Sequence, residues 1–126
     1  MPKYSDISAC GRADSHLARL NSGYFRTYSG TVPANCAASV GAAVMLHECR
    51  FSATAFPASS GHGSATSNAL TVTNGIVTGA PTFYRGWASD GVTCVEQWLA
   101  SEATGVTAIT LGSPVTVAPI AHTEPA

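Results

Sequence analysis

The chain has 126 residues, of which 10% are charged and 45% are hydrophobic, and its formal net charge is −1. This length fits one small domain, and the hydrophobic fraction excludes intrinsic disorder, which combines low hydrophobicity with high charge. The six basic residues are scattered along the sequence, so it lacks the phosphate-neutralising patch of a nucleic-acid-binding protein. Few charges also mean little repulsion between like-charged surfaces, which suits a subunit of an assembly.

No targeting segment is recognisable in the first residues of the sequence. They read MPKYSDISACGRADSH and lack the apolar run of a secretory signal peptide. No stretch approaches the roughly 20 apolar residues that a membrane-spanning helix needs. We therefore expect assembly in the cytoplasm, and neither a membrane nor nucleic acid as a partner.

Residues 1–22 differ from the rest of the chain in composition and in the spacing of apolar residues. They carry three of the six basic residues, and Leu17 and Leu20 are spaced as on one face of a helix. We predict a short helix over 14–21, preceded by a flexible N-terminal arm. An arm of this size cannot form a core of its own, so Cys10, Leu17 and Leu20 are candidate contacts with another subunit.

From residue 23 onward the composition and the turn signals favour β-strands. Aromatic and β-branched runs are bounded by turn residues every 8–12 positions, which is typical of an antiparallel sandwich. We predict an all-β, jelly-roll-like antiparallel β-sandwich over 23–120, followed by a C-terminal tail over 121–126. The predicted strands are about eight in number and include 24–28, 43–52, 69–73, 76–78, 82–88, 92–99, 106–111 and 115–120.

Two of these predictions rest on local patterns. Asn74-Gly75 between two β-branched runs predicts a hairpin, because both residues tolerate positive φ. In residues 43–52 the side chains alternate, which places His47 and Cys49 on one face with Met45. We expect Cys49 to be a buried thiol that behaves as a small hydrophobic side chain.

A pattern of aromatic, aromatic, arginine, small, aromatic occurs twice, at 24–28 and at 83–87. It is explained either by common packing in one sandwich or by duplication, and common packing is favoured because strands select aromatic residues. Each segment is followed by a turn and then by a cysteine, Cys36 or Cys94. Corresponding strands would bring these two cysteines to the same end of the sandwich, so we predict a disulfide between them.

The cysteine pairing remains open at the level of sequence, because four cysteines allow three intramolecular pairings. A Cys36–Cys94 bond would close a loop of nearly 60 residues and contribute roughly 4 kcal/mol in the chain-entropy model. Cys10, in the predicted arm, is the candidate for a bond to another subunit.

No catalytic, cofactor or metal site is predicted. His47-Glu48-Cys49 lacks the spacing of a zinc deaminase, and no closely spaced ligand pair accompanies it. The run from Ser60 to Ser64 surrounds His62 but does not have the form of a nucleophile elbow. We therefore expect a protein that is not an enzyme.

The aromatic residues Tyr24, Tyr28, Trp87 and Trp98 are candidate anchors. They suit either a platform on which sugars stack or, more often, a core or an interface. Arg85 lies between two aromatic residues in the sequence, and an arginine in this position usually packs across a ring face.

Four further segments share a common character across residues 23–120. They are GYFRTYSGTVPANCAA from residue 23, VMLHECRFSATAF from residue 44, APTFYRGWASDGVTC from residue 80 and the alternating tail from residue 107. In this order and spacing they resemble a family of small virion structural proteins of tailed bacteriophages and prophages, while the residues before 23 do not match. His47 and Cys49 stand where the family usually has alanine and leucine.

The resemblance implies a non-enzymatic virion component that decorates or reinforces the head, neck (collar) or tail. Its partners would be other virion proteins, such as capsid, neck or tail subunits, and further copies of itself. It would be assembled in the host cytoplasm and released with the particle, where an oxidising medium favours disulfides. The alternative is a carbohydrate- or receptor-binding β-module on a spike or fibre, which would need an exposed aromatic platform.

Overall fold

The protein is all-β with a single helix in its described part, in agreement with the predicted fold class. The computed structural model describes residues 6–61, 63–100, 108–117 and 120–123. The strands pair antiparallel in one four-stranded sheet and two two-stranded sheets, and a jelly-roll arrangement remains a prediction. The elements are α1 (Asp6–Ala18), β1 (Tyr24–Ser29), β2 (Val44–Arg50), β3 (Ser64–Thr66), β4 (Thr73–Asn74), β5 (Phe83–Trp87), β6 (Cys94–Leu99), β7 (Pro114–Val115) and β8 (Ala121–Thr123).

The four-stranded sheet has the order β2-β1-β5-β6, so both aromatic-arginine segments lie at its centre. Side chains of a strand alternate between the two faces of a sheet, and the matched register brings equivalent residues together on one face. We call this the outer face. The repeated sequence pattern thus provides matching side chains for two neighbouring strands. The facing pairs are Tyr24 with Trp87, Arg26 with Arg85 and Tyr28 with Phe83.

The opposite, inner face of the sheet carries the hydrophobic core. Phe25 stacks on Tyr84 with ring centroids 5.4 Å apart, and the ring of Trp98 lies 5.9 Å from that of Phe25. All three side chains are buried. Gly86 leaves room at this face, because a Cβ there would lie 2.8 Å from Leu20 Cδ2 and would displace that side chain. The missing side chain lets the chain after α1 approach the sheet.

Helix α1 is longer and more deeply integrated than the sequence predicted. It spans Asp6–Ala18 rather than 14–21, and Leu17 and Leu20 are 2% and 0% exposed within the main core cluster. This corrects the expectation of a separate arm over 1–22. The two leucines are core residues rather than contacts for another subunit, because the inner face needs a cover and the apolar side of the helix supplies it.

The C-terminal region also differs from the prediction. Ala121–Thr123 forms β8, which pairs with β3, so these residues belong to the fold instead of a tail. Within the described residues, the predicted strands 106–111 and 115–120 are reduced to the isolated bridges of Ile109 and Leu111 and to Val115 of β7. Other residues of both predicted strands lie outside the described part of the chain.

The predicted Asn74-Gly75 hairpin is wrong. Neither residue has a positive φ, which a two-residue hairpin turn requires. Asn74 instead pairs with β7, and Gly75 forms a parallel bridge with Leu111. A Cβ on Gly75 would collide with the carbonyl oxygen of Thr110, so this glycine permits a close approach of two backbones rather than a turn.

Strand β2 follows the predicted alternation at one end only. Cys49 is 1% exposed and points into the core, as expected. The register with β1 shifts between Thr27 and Tyr28, which leaves Leu46 without a facing residue. Such a β-bulge changes the direction of the following side chains, and Leu46 is buried as a result, whereas Met45 is only half-buried.

No helix among the described residues is long and apolar enough to cross a membrane.

Candidate functional site

The outer face of the sheet is a row of arginine and aromatic side chains. The guanidinium carbon of Arg26 lies 5.0 Å from the ring centroid of Tyr24 and 5.1 Å from that of Trp87. Arg50 lies 4.2 Å from the centroid of Tyr24, and Arg26 Nε donates a hydrogen bond to Glu48. Cation–π contacts contribute about 0.5–2 kcal/mol each, so the row is a set of cooperating contacts that stiffens the sheet.

Arg85 is the buried member of this row, with 2% exposure. Its guanidinium donates to the carbonyl oxygens of Asn35 at 3.1 Å and Ala38 at 2.6 Å, and to Gln97 Oε1 at 2.9 Å. Burial lowers the pKa of Arg85, because water no longer solvates the charge. The carbonyl groups replace that water, and the β1–β2 loop is thereby held over the outer face.

The predicted Cys36–Cys94 disulfide is present and fixes the same loop. The two Cα atoms lie 5.6 Å apart across a sequence separation of 58 residues. Cys94 faces Trp87 in the sheet, so the bond joins the loop directly to the outer face. Gln97 Nε2 adds a hydrogen bond to the carbonyl oxygen of Pro33 at 2.8 Å. The outer face is therefore covered by a loop that is tied down by covalent and polar links.

The four predicted aromatic anchors occupy two different environments. Trp98 and Tyr28 are 7% and 5% exposed, and the ring of Tyr28 stacks on that of Phe83 with centroids 5.0 Å apart. Tyr24 and Trp87 are half-buried beside the guanidinium of Arg26. Together these four side chains do not form a flat, solvent-open platform for a sugar ring.

His47 and Cys49 are buried structural residues. His47 Nε2 lies 2.7 Å from Thr73 Oγ1, and that hydroxyl donates to the Glu48 carbonyl oxygen, so the ring donates through Nε2. Burial lowers the pKa of His47, because the charged ring would lose its solvation by water. Burial, together with the charge of Glu48, raises the pKa of the Cys49 thiol to about 12, so it stays protonated and unreactive.

The serine- and glycine-rich loop packs against helix α1. Ser60 and Ser64 pair through two backbone hydrogen bonds of 2.8 and 2.9 Å, while His62 lies outside the described residues. Cys10 is a half-buried free thiol that donates to the carbonyl oxygen of Gly61 at 3.3 Å. A bond from Cys10 to another subunit remains a prediction.

A surface of different character lies along the free edge of β2. The segment 71–77 runs beside this strand: Thr71 N–H donates to the Arg50 carbonyl at 3.1 Å, and Ile76 N–H donates to that of Leu46 at 2.8 Å. The segment thereby covers backbone groups that an edge strand leaves unpaired. Five aliphatic side chains along it are between 38% and 64% exposed, and we call them the aliphatic edge: Val44, Val72, Ile76, Val77 and Leu111.

The aliphatic edge was missed in the sequence because its members come from three segments that meet only in the fold. A signal for it exists, however, since four of the five side chains lie in residues 51–84 and 103–123, which contain no Lys, Arg, Asp or Glu. The fifth, Val44, shares β2 with Glu48 and Arg50. Exposed apolar side chains with few charges among them are typical of the centre of a protein–protein interface.

Comparison of the chain with models of protein families, with curated proteins and with solved structures finds no match. The resemblance to virion proteins thus rests on the sequence segments alone.

Proposed function

We propose that the chain is a non-enzymatic structural component of a tailed-phage virion, which decorates or reinforces the head, neck or tail. The observation that carries this proposal is the aliphatic edge, because a group of exposed aliphatic side chains favours burial against another protein. The resemblance of residues 23–120 supplies the kind of assembly, and other virion subunits are the proposed occupants of the edge.

The energetics of the edge fit a repeated subunit. Full burial of one aliphatic side chain contributes about 1.5–3 kcal/mol, and these five side chains are between 38% and 64% exposed in the free chain. Each would therefore add on the order of 1 kcal/mol when covered. Contacts of this size are modest singly, and the five side chains together would contribute on the order of 5 kcal/mol to one contact with a neighbouring subunit.

The outer face supports the proposed location in a released particle. Its β1–β2 loop is fixed by the Cys36–Cys94 disulfide, and disulfides persist in the oxidising medium that a virion meets after lysis. The alternative of a carbohydrate-binding module has less support, because Tyr28 and Trp98 are buried and leave no open aromatic platform with Tyr24 and Trp87.

The proposal is tested by incorporation into particles. Particles produced by a host that encodes the chain would be purified, and the chain would be quantified in them by mass spectrometry. We expect Ile76→Ser combined with Leu111→Ser to fold normally but to lower incorporation about tenfold or more, since the two changes remove roughly 1–2 kcal/mol from each contact.

Val92→Ser is the matched control, because Val92 is 75% exposed and lies in the β5–β6 turn, away from the edge. It should enter particles as well as the unaltered chain does. Absence of the unaltered chain from particles would contradict the proposal, and so would equal incorporation of the double variant.

A further inference from the structure

Three side chains that lie far apart in the sequence meet at the margin of the inner face. His16 comes from the last turn of α1, Glu96 from β6 and His122 from β8. Glu96 Oε1 lies 3.5 Å from His16 Nε2 and 3.3 Å from His122 Nδ1. The three ligand atoms all lie within 4.8 Å of one another, so helix, sheet and C-terminal strand converge on one point.

The separations fit a shared ion better than direct hydrogen bonds. A charge-assisted N–H···O bond is about 2.7–2.9 Å long, and both observed distances exceed this. Two ligands that each lie about 2.0–2.1 Å from a tetrahedral Zn²⁺ are about 3.3–3.4 Å apart. The two distances from Glu96 to the histidines thus correspond to edges of a tetrahedron around a metal ion, and all three ligand atoms lie within 4.8 Å of one another.

The remaining carboxylate oxygen gives a second, independent indication. Glu96 Oε2 is buried and has no hydrogen-bond partner among the described residues, although a buried polar atom without a partner is costly. A carboxylate with one buried, unpartnered oxygen is suited to bind a cation.

We propose that His16 Nε2, His122 Nδ1 and the Glu96 carboxylate form a binding site for a divalent transition metal of the zinc class. Two imidazoles and one carboxylate are a common ligand set for Zn²⁺, with a fourth position filled by water. The ion would tie α1 and β8 to the edge strand β6. This inference does not depend on the proposed function.

No metal site was predicted from the sequence, because metal ligands are recognised there by close spacing. His16, Glu96 and His122 have no such spacing and form a site only through the fold. Neither His47 nor Cys49 belongs to this cluster.

The test is metal binding by the purified, disulfide-intact chain in a Cys10→Ser background, which removes the half-buried thiol as a competing ligand. Zn²⁺ and Co²⁺ would be titrated separately and bound metal would be measured by elemental analysis. We expect one equivalent of Zn²⁺, the visible spectrum of tetrahedral Co²⁺, and a higher Tm with Zn²⁺.

Three single substitutions, Glu96→Gln, His122→Gln and His16→Gln, each remove one ligand. Loss of a residue that only hydrogen-bonds to a metal ligand already weakens metal binding about 10–100-fold. Loss of a ligand itself should therefore weaken Zn²⁺ binding by more than about 100-fold. Glu48→Gln is the matched control, because Glu48 is a partly exposed carboxylate of the same sheet outside the cluster, and it should bind Zn²⁺ as the parent does.

The inference is overturned if the parent chain binds neither Zn²⁺ nor Co²⁺, or if the ligand variants bind Zn²⁺ as tightly as Glu48→Gln. Should Glu96→Gln fail to fold, His16→Gln decides the matter, because the His16 side chain is the most exposed of the three at 32%.

Discussion

The two faces of the four-stranded sheet are made from the same two five-residue segments, yet different forces hold them. On the inner face, Phe25 and Tyr84 stack in an apolar core. On the outer face, their chain neighbours Arg26 and Arg85 make cation–π contacts and hydrogen bonds. The alternation of a strand separates the two sets. One short pattern thus encodes both a core, which depends on burial, and a cover, which depends on directed contacts and a disulfide.

The largest expected effect is on the inner face. Phe25→Ala leaves a cavity between Tyr84 and Trp98 and should lower the free energy of unfolding by about 3–5 kcal/mol. Urea denaturation measures this loss. Val92→Ala, in an exposed turn, is the control and should stay within about 0.5 kcal/mol of the unaltered chain. A loss below about 1 kcal/mol for Phe25→Ala would show that the inner face is not the main source of stability.

Next comes the covalent link of the outer face. Replacing both Cys36 and Cys94 by alanine should cost about 2–4 kcal/mol, while the core remains folded because the inner face is untouched. A reducing agent should destabilise the unaltered chain by a similar amount and have no effect on the double variant. If the reductant destabilises both proteins equally, the disulfide is not the source of the difference.

Substitution of the buried Arg85 is expected to lower stability more than substitution of its half-buried neighbour Arg26. Arg85→Met leaves the carbonyl groups of Asn35 and Ala38 without their donor, at about 1–3 kcal/mol, and should speed hydrogen exchange in the β1–β2 loop. Arg26→Met breaks a partly exposed pair with Glu48 and two cation–π contacts, with Tyr24 and Trp87. Because these groups are only half-buried, water replaces part of each contact, and the loss of stability should be smaller than for Arg85→Met. Equal losses of stability for the two variants would show that burial does not distinguish them.

The smallest expected effect on stability comes from His47. Burial lowers the pKa of this side chain. An exposed histidine has a pKa of about 6.5, so between this value and the lower folded-state pKa the unfolded chain binds more protons. The free energy of unfolding then rises with pH in this window and falls on acidification, by up to about 1.4 kcal/mol per pH unit. The nearest charge that opposes the shift is Glu48.

His47→Gln keeps a donor toward Thr73 but does not titrate, so the difference between the two stability curves isolates this group from the other histidines. The curves should diverge below about pH 6.5. Parallel curves over that range would mean that His47 titrates with the same pKa in both states.

The sequence was sufficient where the signal was local and strong. The aromatic strands 24–28 and 83–87 are present as β1 and β5, the alternation around Cys49 holds, and the two cysteines that follow the repeated pattern are bonded. In each case neighbouring residues determine both the strand and the face on which a side chain lies.

The predictions failed where distant segments decide the structure. From the sequence, Leu17 and Leu20 have no visible partner in the same chain, because the inner face that they cover is formed by distant strands. Gly75 resembles a turn residue, although it permits a close contact between two backbones. His16 and His122 lie near opposite ends of the chain, so no spacing rule connects them to Glu96. Long-range pairing of β3 with β8, which is invisible to local patterns, brings His122 into place.

Hydrogen exchange of the free protein and of assembled particles would show whether the aliphatic edge joins this chain to other virion subunits, as we propose. We predict slower exchange in particles at 71–79 and 108–111, and unchanged exchange in the β5–β6 turn at 88–93. The account is contradicted if the chain is absent from the particles, or if the edge exchanges equally fast in both states.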